Sequence, residues 1–220
     1  MLQNVIDLIF PKSCLSCRTR GSFICQNCQK LLRPVFPQVC PVCQRAGLGG
    51  LTHPKCQTKY QLDGLYSGFS YEGTLRKIIK RVKFNPFYYP AIEELCNLLS
   101  LPKVPPDSIL VPVPLHPIRL KWRGFNQAEL IAKNLGQRLG LPVATDSLKR
   151  HLYTRSQSQL NKWDRQENVA QAFIFDSKRL KHRSIILVDD IWTTGATLRI
   201  CGKIIKEAGV TKVLAFTLAK

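Results

Sequence analysis

The sequence predicts an α/β domain, a parallel sheet with helices on both faces, preceded by a small metal-bound module. Three observations predict it. The run Ile185–Val188 is short, apolar and rich in β-branched residues, as a strand buried on both faces must be. Residues 109–139 and 184–208 each pass from such a run through a polar loop into a helix-spaced stretch, the repeating unit of a parallel sheet. Seven of the nine cysteines fall between Cys14 and Cys56, mostly in pairs with two residues between them, the spacing of metal knuckles. The division expected is residues 1–60 for the module and 61–220 for the α/β domain.

Charge sets the second bound. The chain carries 33 basic and 14 acidic residues, a formal +19, with +7 in residues 1–60 and +12 in residues 61–220. A basic excess spread over a whole chain attracts polyanions, nucleic acid first among them. No apolar run approaches the length of a membrane span, and the start MLQNVIDLIFPK lacks the basic region of a signal peptide, so the expectation is a cytoplasmic protein with reduced thiols.

In chain order, Leu2, Val5, Ile6 and Ile9 give a short amphipathic helix over residues 2–10, stopped by Pro11. Cys14, Cys17, Cys25 and Cys28 follow as one set of four ligands, and Cys40, Cys43, His53 and Cys56 as a second. Two facing knuckles complete a tetrahedron around Zn²⁺ with no position left for water, so one or two structural zinc ions are expected. Spacing alone leaves open whether the sets interleave. Residues 61–73 alternate around Leu65, Tyr66, Phe69 and Tyr71 and read as a strand or hairpin. Thr74 is placed to cap a helix whose apolar face is Leu75, Ile78, Ile79 and Val82 and whose other face carries Arg76, Lys77, Lys80, Arg81 and Lys83. That face suits a polyanion or simply solvent. Phe84, Phe87, Tyr88 and Tyr89 follow; such aromatics stack on single-stranded bases, though at this spacing core is the commoner role. A helix over 90–100 buries Ile92, Leu95, Cys96 and Leu99.

The run 109–115 is the second buried strand, leading into a cationic loop with Arg119, Lys121, Arg123, Gly124 and Asn126 and then a helix through Ala128, Ile131, Ala132 and Leu135 to Gly140. Residues 142–147 suit a short strand, and the polar stretch 151–172 suits a lid. After the strand 185–190 comes the acidic pair Asp189–Asp190, then Thr193, Thr194, Gly195, Ala196 and Thr197, then a helix closed by Gly209 and a last strand, 213–218. A small-residue loop entering a helix presents backbone N–H groups and the positive end of the helix dipole to an anion. Two carboxylates beside such a cradle suit the vicinal hydroxyls of a sugar phosphate, and cations across from it suit a pyrophosphate.

The acidic pair with T-T-G-A-T resembles the diphosphosugar motif of the type I phosphoribosyltransferases, whose ligand is phosphoribosyl pyrophosphate (PRPP). With the cysteine-rich head, F-x-Y-x-G, V-P-V-P-L-x-x-x-R-x-x-x-R-G-F-N-Q and R-x-x-N-V-x-x-A-F at Arg165–Phe173, the whole chain resembles the ComF/GntX family of competence proteins. That resemblance implies a zinc-binding head on a phosphoribosyltransferase-like fold. Asp189 and Asp190 would hold the ribose hydroxyls, Thr193–Thr197 the 5′-phosphate, and Arg119–Gln127, with Arg123 and Gly124, the pyrophosphate, with Mg²⁺ arriving alongside. It implies a role in handling external DNA, with single-stranded DNA and the DNA-uptake helicase as candidate partners. An enzyme moving a phosphoribosyl group to an unspecified acceptor and a PRPP-binding protein that acts on DNA both fit. No catalytic base stands out.

Overall fold

The computed structural model describes residues 12–150, 172–176 and 184–220. The helix expected at 2–10, the stretch 151–171 and all but the end of the Arg165–Phe173 motif lie outside the described residues.

The central sheet has four strands, β1 (Gly64–Phe69), β2 (Ile109–Pro112), β5 (Ile185–Ile191) and β6 (Val213–Ala219), all parallel in the order β1-β6-β5-β2. This is the parallel sheet that the buried apolar runs predict. Because side chains alternate along a strand, β5 sends Ile186 and Val188 to one face and Ile185 and Leu187 to the other. The first face is covered by α1 (Gly73–Phe84), α2 (Pro90–Asn97) and α4 (Gln127–Leu139), whose apolar stripes Leu75/Ile78/Ile79/Val82, Ile92/Leu95 and Ile131/Leu135 join it. The second is covered by α5 (Ala196–Glu207) through Leu198, Cys201 and Ile205, and by an antiparallel pair, β3 (Leu148–Arg150) with β4 (Phe173–Phe175).

Several elements differ from the sequence reading. Of the two readings of residues 61–73, strand or hairpin, the strand is the one found, at Gly64–Phe69, and it pairs with the last strand of the chain. Thr74 does not cap α1; Glu72 holds the N-cap position and the helix begins at Gly73. The cationic loop contains a helix, α3 (Pro117–Arg123), started by Pro117, capped by His116 Nδ1 accepting from Ile118 N–H (3.2 Å), and ended by Gly124 at φ 81°. Its sequence, PIRLKWR, hides it because no apolar face is buried. Within 142–147 only Val143 bridges to Leu110; the ladder starts at Leu148, and its partner lies beyond the stretch 151–171. The β2 ladder stops at Pro112, where two prolines bring no N–H groups.

The metal module does not stand apart. Val35 N–H donates to Gly68 O (2.9 Å), and the Gln38 amide donates to Ser67 O and accepts from Ser67 N–H, both at 2.9 Å, so residues 34–38 cover the open edge of β1. The first cysteine set packs on the helices: Arg81 donates to Leu15 O (2.5 Å), and Glu94 accepts from Ile24 N–H (2.8 Å) and Phe23 N–H (3.3 Å). Leu15, Phe23, Ile24 and Leu32 share one core with α1 and α2. Cys96 and Cys201 are fully buried thiols, as expected, and burial pushes Cys96 up to about 12 and Cys201 higher. Among the described residues, no helix is long and apolar enough to cross a membrane.

Candidate functional site

Two groups of metal-type ligands form in the module, and they are sequential rather than interleaved. The donor atoms of Cys14, Cys17, Cys25 and Cys28 all lie within 4.8 Å of one another, as do those of Cys40, Cys43, His53 and Cys56. Single-turn geometry explains the first half of each group. Arg18 N–H donates to Cys14 O (2.9 Å) and Gln44 N–H to Cys40 O (3.0 Å), so each C-x2-C pair folds into a tight turn with both sulfurs on one side. His53 presents Nδ1 to the Cys43 sulfur at 3.3 Å and sets Nε2 against Ala46 O at 2.9 Å. With Nε2–H donating to that carbonyl, Nδ1 is the free lone pair, as a metal-ligating histidine requires.

The thiols of each group are shifted in opposite directions. The Thr19 hydroxyl and backbone hold Cys17 down to about 6, while burial and the neighbouring thiols push Cys28 up to about 12. In the second group burial raises Cys40, but backbone N–H groups outweigh it and bring it to about 7. Burial and the facing thiols push Cys56 up to about 11. Thiolates crowded this way oppose one another until a dication joins them. Four soft or borderline donors with no open position fit Zn²⁺.

A second site lies at the C-terminal ends of the strands, where an open α/β sheet places its ligand crevice. A cleft of about 180 Å³ is lined by Asp189 and Asp190 of β5, Thr197 of α5, Arg119 and Arg123 of α3, Gln127 of α4 and Lys83 of α1. Alternation sends the two acids to opposite faces of the sheet. Asp190 points toward α1 and pairs with Lys83 (2.6 Å), both side chains largely buried at 15% and 25% exposure. Asp189 points toward Arg150 of β3, which stacks on Phe173 (5.2 Å), and its Oδ1 accepts from Asp190 N–H (2.8 Å). Burial, with the charge of Asp190 added, pushes Asp189 up to about 7. Burial likewise lowers Arg123 and Arg150 from the usual guanidinium range.

Arg123 Nη1 donates to Gln127 Oε1 (2.8 Å), which leaves the Gln127 Nε2 amide, in a side chain 2% exposed, with no hydrogen-bond partner among the described residues. A buried donor left unpaired at a cleft wall is costly unless a ligand answers it. Among the described residues α5 has no side-chain N-cap, so its first-turn donors also lack that acceptor, and of them only Ala196 N–H finds a side-chain acceptor, Thr194 Oγ1, at 3.4 Å.

Of the residues the sequence nominates, Asp189, Asp190, Thr197, Arg119 and Arg123 meet at the cleft. Thr193 and Thr194 are exposed on the adjoining loop, Ala196 is exposed at the first position of α5, and Gly195 turns onto Trp192. Gly124 is the left-handed cap of α3 and does not line the cleft. Arg76, Lys77 and Lys80 are exposed along α1, whereas Arg81 is committed to Leu15. Phe84, Phe87 and Tyr89 are exposed rather than core, and Tyr88 packs edge-on to Phe23 (6.2 Å). The sequence reading assigned Lys83 to the outer basic face and gave Arg150 no role; no local signal marks either one, since both reach the cleft only through packing.

A cysteine-rich double metal module fused to a parallel α/β domain, with a charged cleft at its strand ends, is the class that fold and site define. Residues 5–57 match the family model described as the double zinc ribbon domain. Competence protein ComFC of Bacillus subtilis is 30% identical over 216 residues, 90% of this chain and 84% of that protein. ComFC of Streptococcus pneumoniae is 27% identical over 224 residues, 99% and 97%. Competence protein F of Haemophilus influenzae is 35% identical over 117 residues, 52% of this chain and 51% of that protein. The chain belongs to the ComFC family of competence proteins.

Proposed function

We propose that the cleft binds PRPP with Mg²⁺ and that the protein serves DNA uptake with single-stranded DNA as its macromolecular partner. The observation that carries the ligand reading is the meeting of Asp189 and Asp190 with Arg119, Arg123 and Lys83 across one cleft, beside the uncapped start of α5. Carboxylates at the strand end accept from vicinal ribose hydroxyls, while Thr197 and the α5 N–H groups receive the 5′-phosphate. Lys83, released from Asp190 by those hydroxyls, joins Arg119 and Arg123 as a cation for the pyrophosphate. The unpaired Gln127 amide is a further donor. The two acids also supply hard oxygen donors of the kind Mg²⁺ takes, and that ion would neutralise charge on the pyrophosphate. Ligand hydroxyls need acceptors, so the ionised form of Asp189 is the binding form.

The DNA reading is supported by the names of the relatives and by the +19 charge. It is further supported by the exposed Arg76, Lys77 and Lys80 near Phe84 and Phe87, which are 77% and 81% exposed. Calorimetry of PRPP with and without Mg²⁺ on the wild type and on Asp189→Asn/Asp190→Asn is the test. Two lost charge-assisted hydrogen bonds, each worth about 1.5–3 kcal/mol, weaken binding by about two to four orders of magnitude. Unchanged affinity in the folded double variant would refute the assignment. Pyrophosphate release assayed over DNA, nucleotides and bases then separates a transferase from a PRPP-responsive binding protein.

A further inference from the structure

The second ligand group docks on a different part of the body from the first. The turn Cys40–Gln44 lies against the loop 192–195 and the start of α5. Arg199, in the first turn of α5, donates from Nε and Nη2 to Pro41 O at 2.9 and 2.5 Å, and from Nη2 to Val42 O at 3.4 Å. Its guanidinium also sits 5.4 Å from the Trp192 ring. Trp192 Nε1–H donates to Gln44 Oε1 (3.2 Å), and Gln44 Nε2 turns back to Pro41 O (3.1 Å) and Cys40 O (3.4 Å). Trp192, 2% exposed, is therefore fixed by the ligand turn.

The same indole fixes the loop. Gly195 has φ 74°, and a Cβ there would stand 2.1 Å from an indole carbon, so the backbone at the start of α5 rests directly on Trp192. A connected set of contacts thus runs from Cys40–Cys43 through Gln44 and Arg199 to Trp192, Gly195 and the first-turn donors of α5. Gln44 and its counterpart in the first group, Arg18, are both exposed and both left-handed, at φ 62° and 73°, so that backbone belongs to the turn after each cysteine pair; what sets Gln44 apart is its hydrogen bond to Trp192. Among the described residues the first group has no such link to the cleft: its partners, Arg81 and Glu94, lie on α1 and α2.

We propose that Gln44 and Arg199 are positioning residues that make the second cysteine–histidine turn the floor of the candidate phosphate loop. The second metal group is then part of a phosphate-ester site rather than only a structural clip. This deepens the reading of the cleft given above and rests on it for the ligand, but not for the loop.

The test uses the full chain with Gln44→Leu, Arg199→Ala and the milder Gln44→Glu, which keeps an acceptor for Trp192 Nε1–H but loses the donor to Pro41 O and Cys40 O. Three quantities are measured: zinc content, deuterium uptake of the amides 199–202, where the hydrogen-bonded part of α5 begins, and PRPP·Mg²⁺ affinity. Expected for Gln44→Leu and Arg199→Ala are wild-type zinc content, uptake at 199–202 faster by about tenfold with α1 unaffected, and affinity weaker by about tenfold, the scale of one lost hydrogen bond to a charged or buried partner. Gln44→Glu should fall between the wild type and Gln44→Leu in uptake and affinity. Unchanged uptake at 199–202 in both disruptive variants would overturn the inference. So would faster uptake along the whole chain with loss of zinc, since that reports glue and not positioning. If the wild type fails to bind PRPP, the ligand reading falls, and uptake at 199–202 alone decides this one.

Discussion

Asp189→Asn should stabilise the unliganded protein while destroying its ligand site. The wild-type carboxyl stands near 7 against an ordinary 3.8, because burial and the charge of Asp190 oppose its ionisation. A carboxyl whose pKa rises on folding keeps its proton in the native state while the unfolded chain has lost it, so stability falls as pH climbs from about 4 to about 7. Fully expressed, that gap amounts to about 4 kcal/mol. Asp189 is half-buried at an open cleft and partly screened, and between pH 5 and 8 only part of the window is crossed, so about 1–2 kcal/mol remains. Asparagine carries no titration and keeps an oxygen for Asp190 N–H. Urea unfolding of both proteins from pH 5 to 8 should therefore show the variant gaining about 1–2 kcal/mol over the wild type as pH rises. Effects of the zinc thiolates are common to both and cancel in the difference. A gap that stays constant, or that closes with pH, would refute the reasoning about this carboxyl.

Other expectations follow from the same contacts. PRPP affinity should rise with pH up to about 7 in the wild type, as Asp189 becomes ionised before binding, and calorimetry across pH 6–8 checks it. Purified protein should hold two zinc ions, and Cys14→Ser with Cys17→Ser should remove one and loosen α1 and α2, measured by atomic spectroscopy and amide exchange. Lys83→Met should weaken PRPP binding by about tenfold if the ammonium passes to the pyrophosphate; tighter binding would mean that it only blocks Asp190. Single-stranded DNA binding should fall steeply with salt, and Arg76, Lys77 and Lys80 changed to Gln should flatten the log–log slope by about 2, at about 0.7 per phosphate contact. Arg81 is kept intact in that variant because it holds the module to α1.

The sequence by itself determined whatever rests on local chemistry. Buried apolar runs marked the strands, read as 109–115, 185–190 and 213–218 and found at Ile109–Pro112, Ile185–Ile191 and Val213–Ala219, since a parallel strand covered on both faces has no polar alternation to confuse it. Ligand spacing marked the metal ligands, because two residues between cysteines already dictate one tight turn; that the two groups are sequential rather than interleaved was decided by the tertiary structure. The acidic pair followed by a small-residue loop marked the cleft. Contiguous sequence could not reveal contacts made across the fold. Strand alternation divides Asp189 and Asp190 between the two faces of the sheet, and only packing brings Lys83 and Arg150 to them. α3 is held by its caps and its place on the body, not by an apolar stripe, so periodicity missed it. Phe84 and Phe87 looked like core and proved exposed, because hydrophobicity states a preference for burial and the tertiary structure decides which apolar groups find partners. In sequence Gly195 is one member of a small-residue loop; what stands against it in the fold is Trp192, held by Gln44, a contact spanning 148 positions that no local pattern encodes.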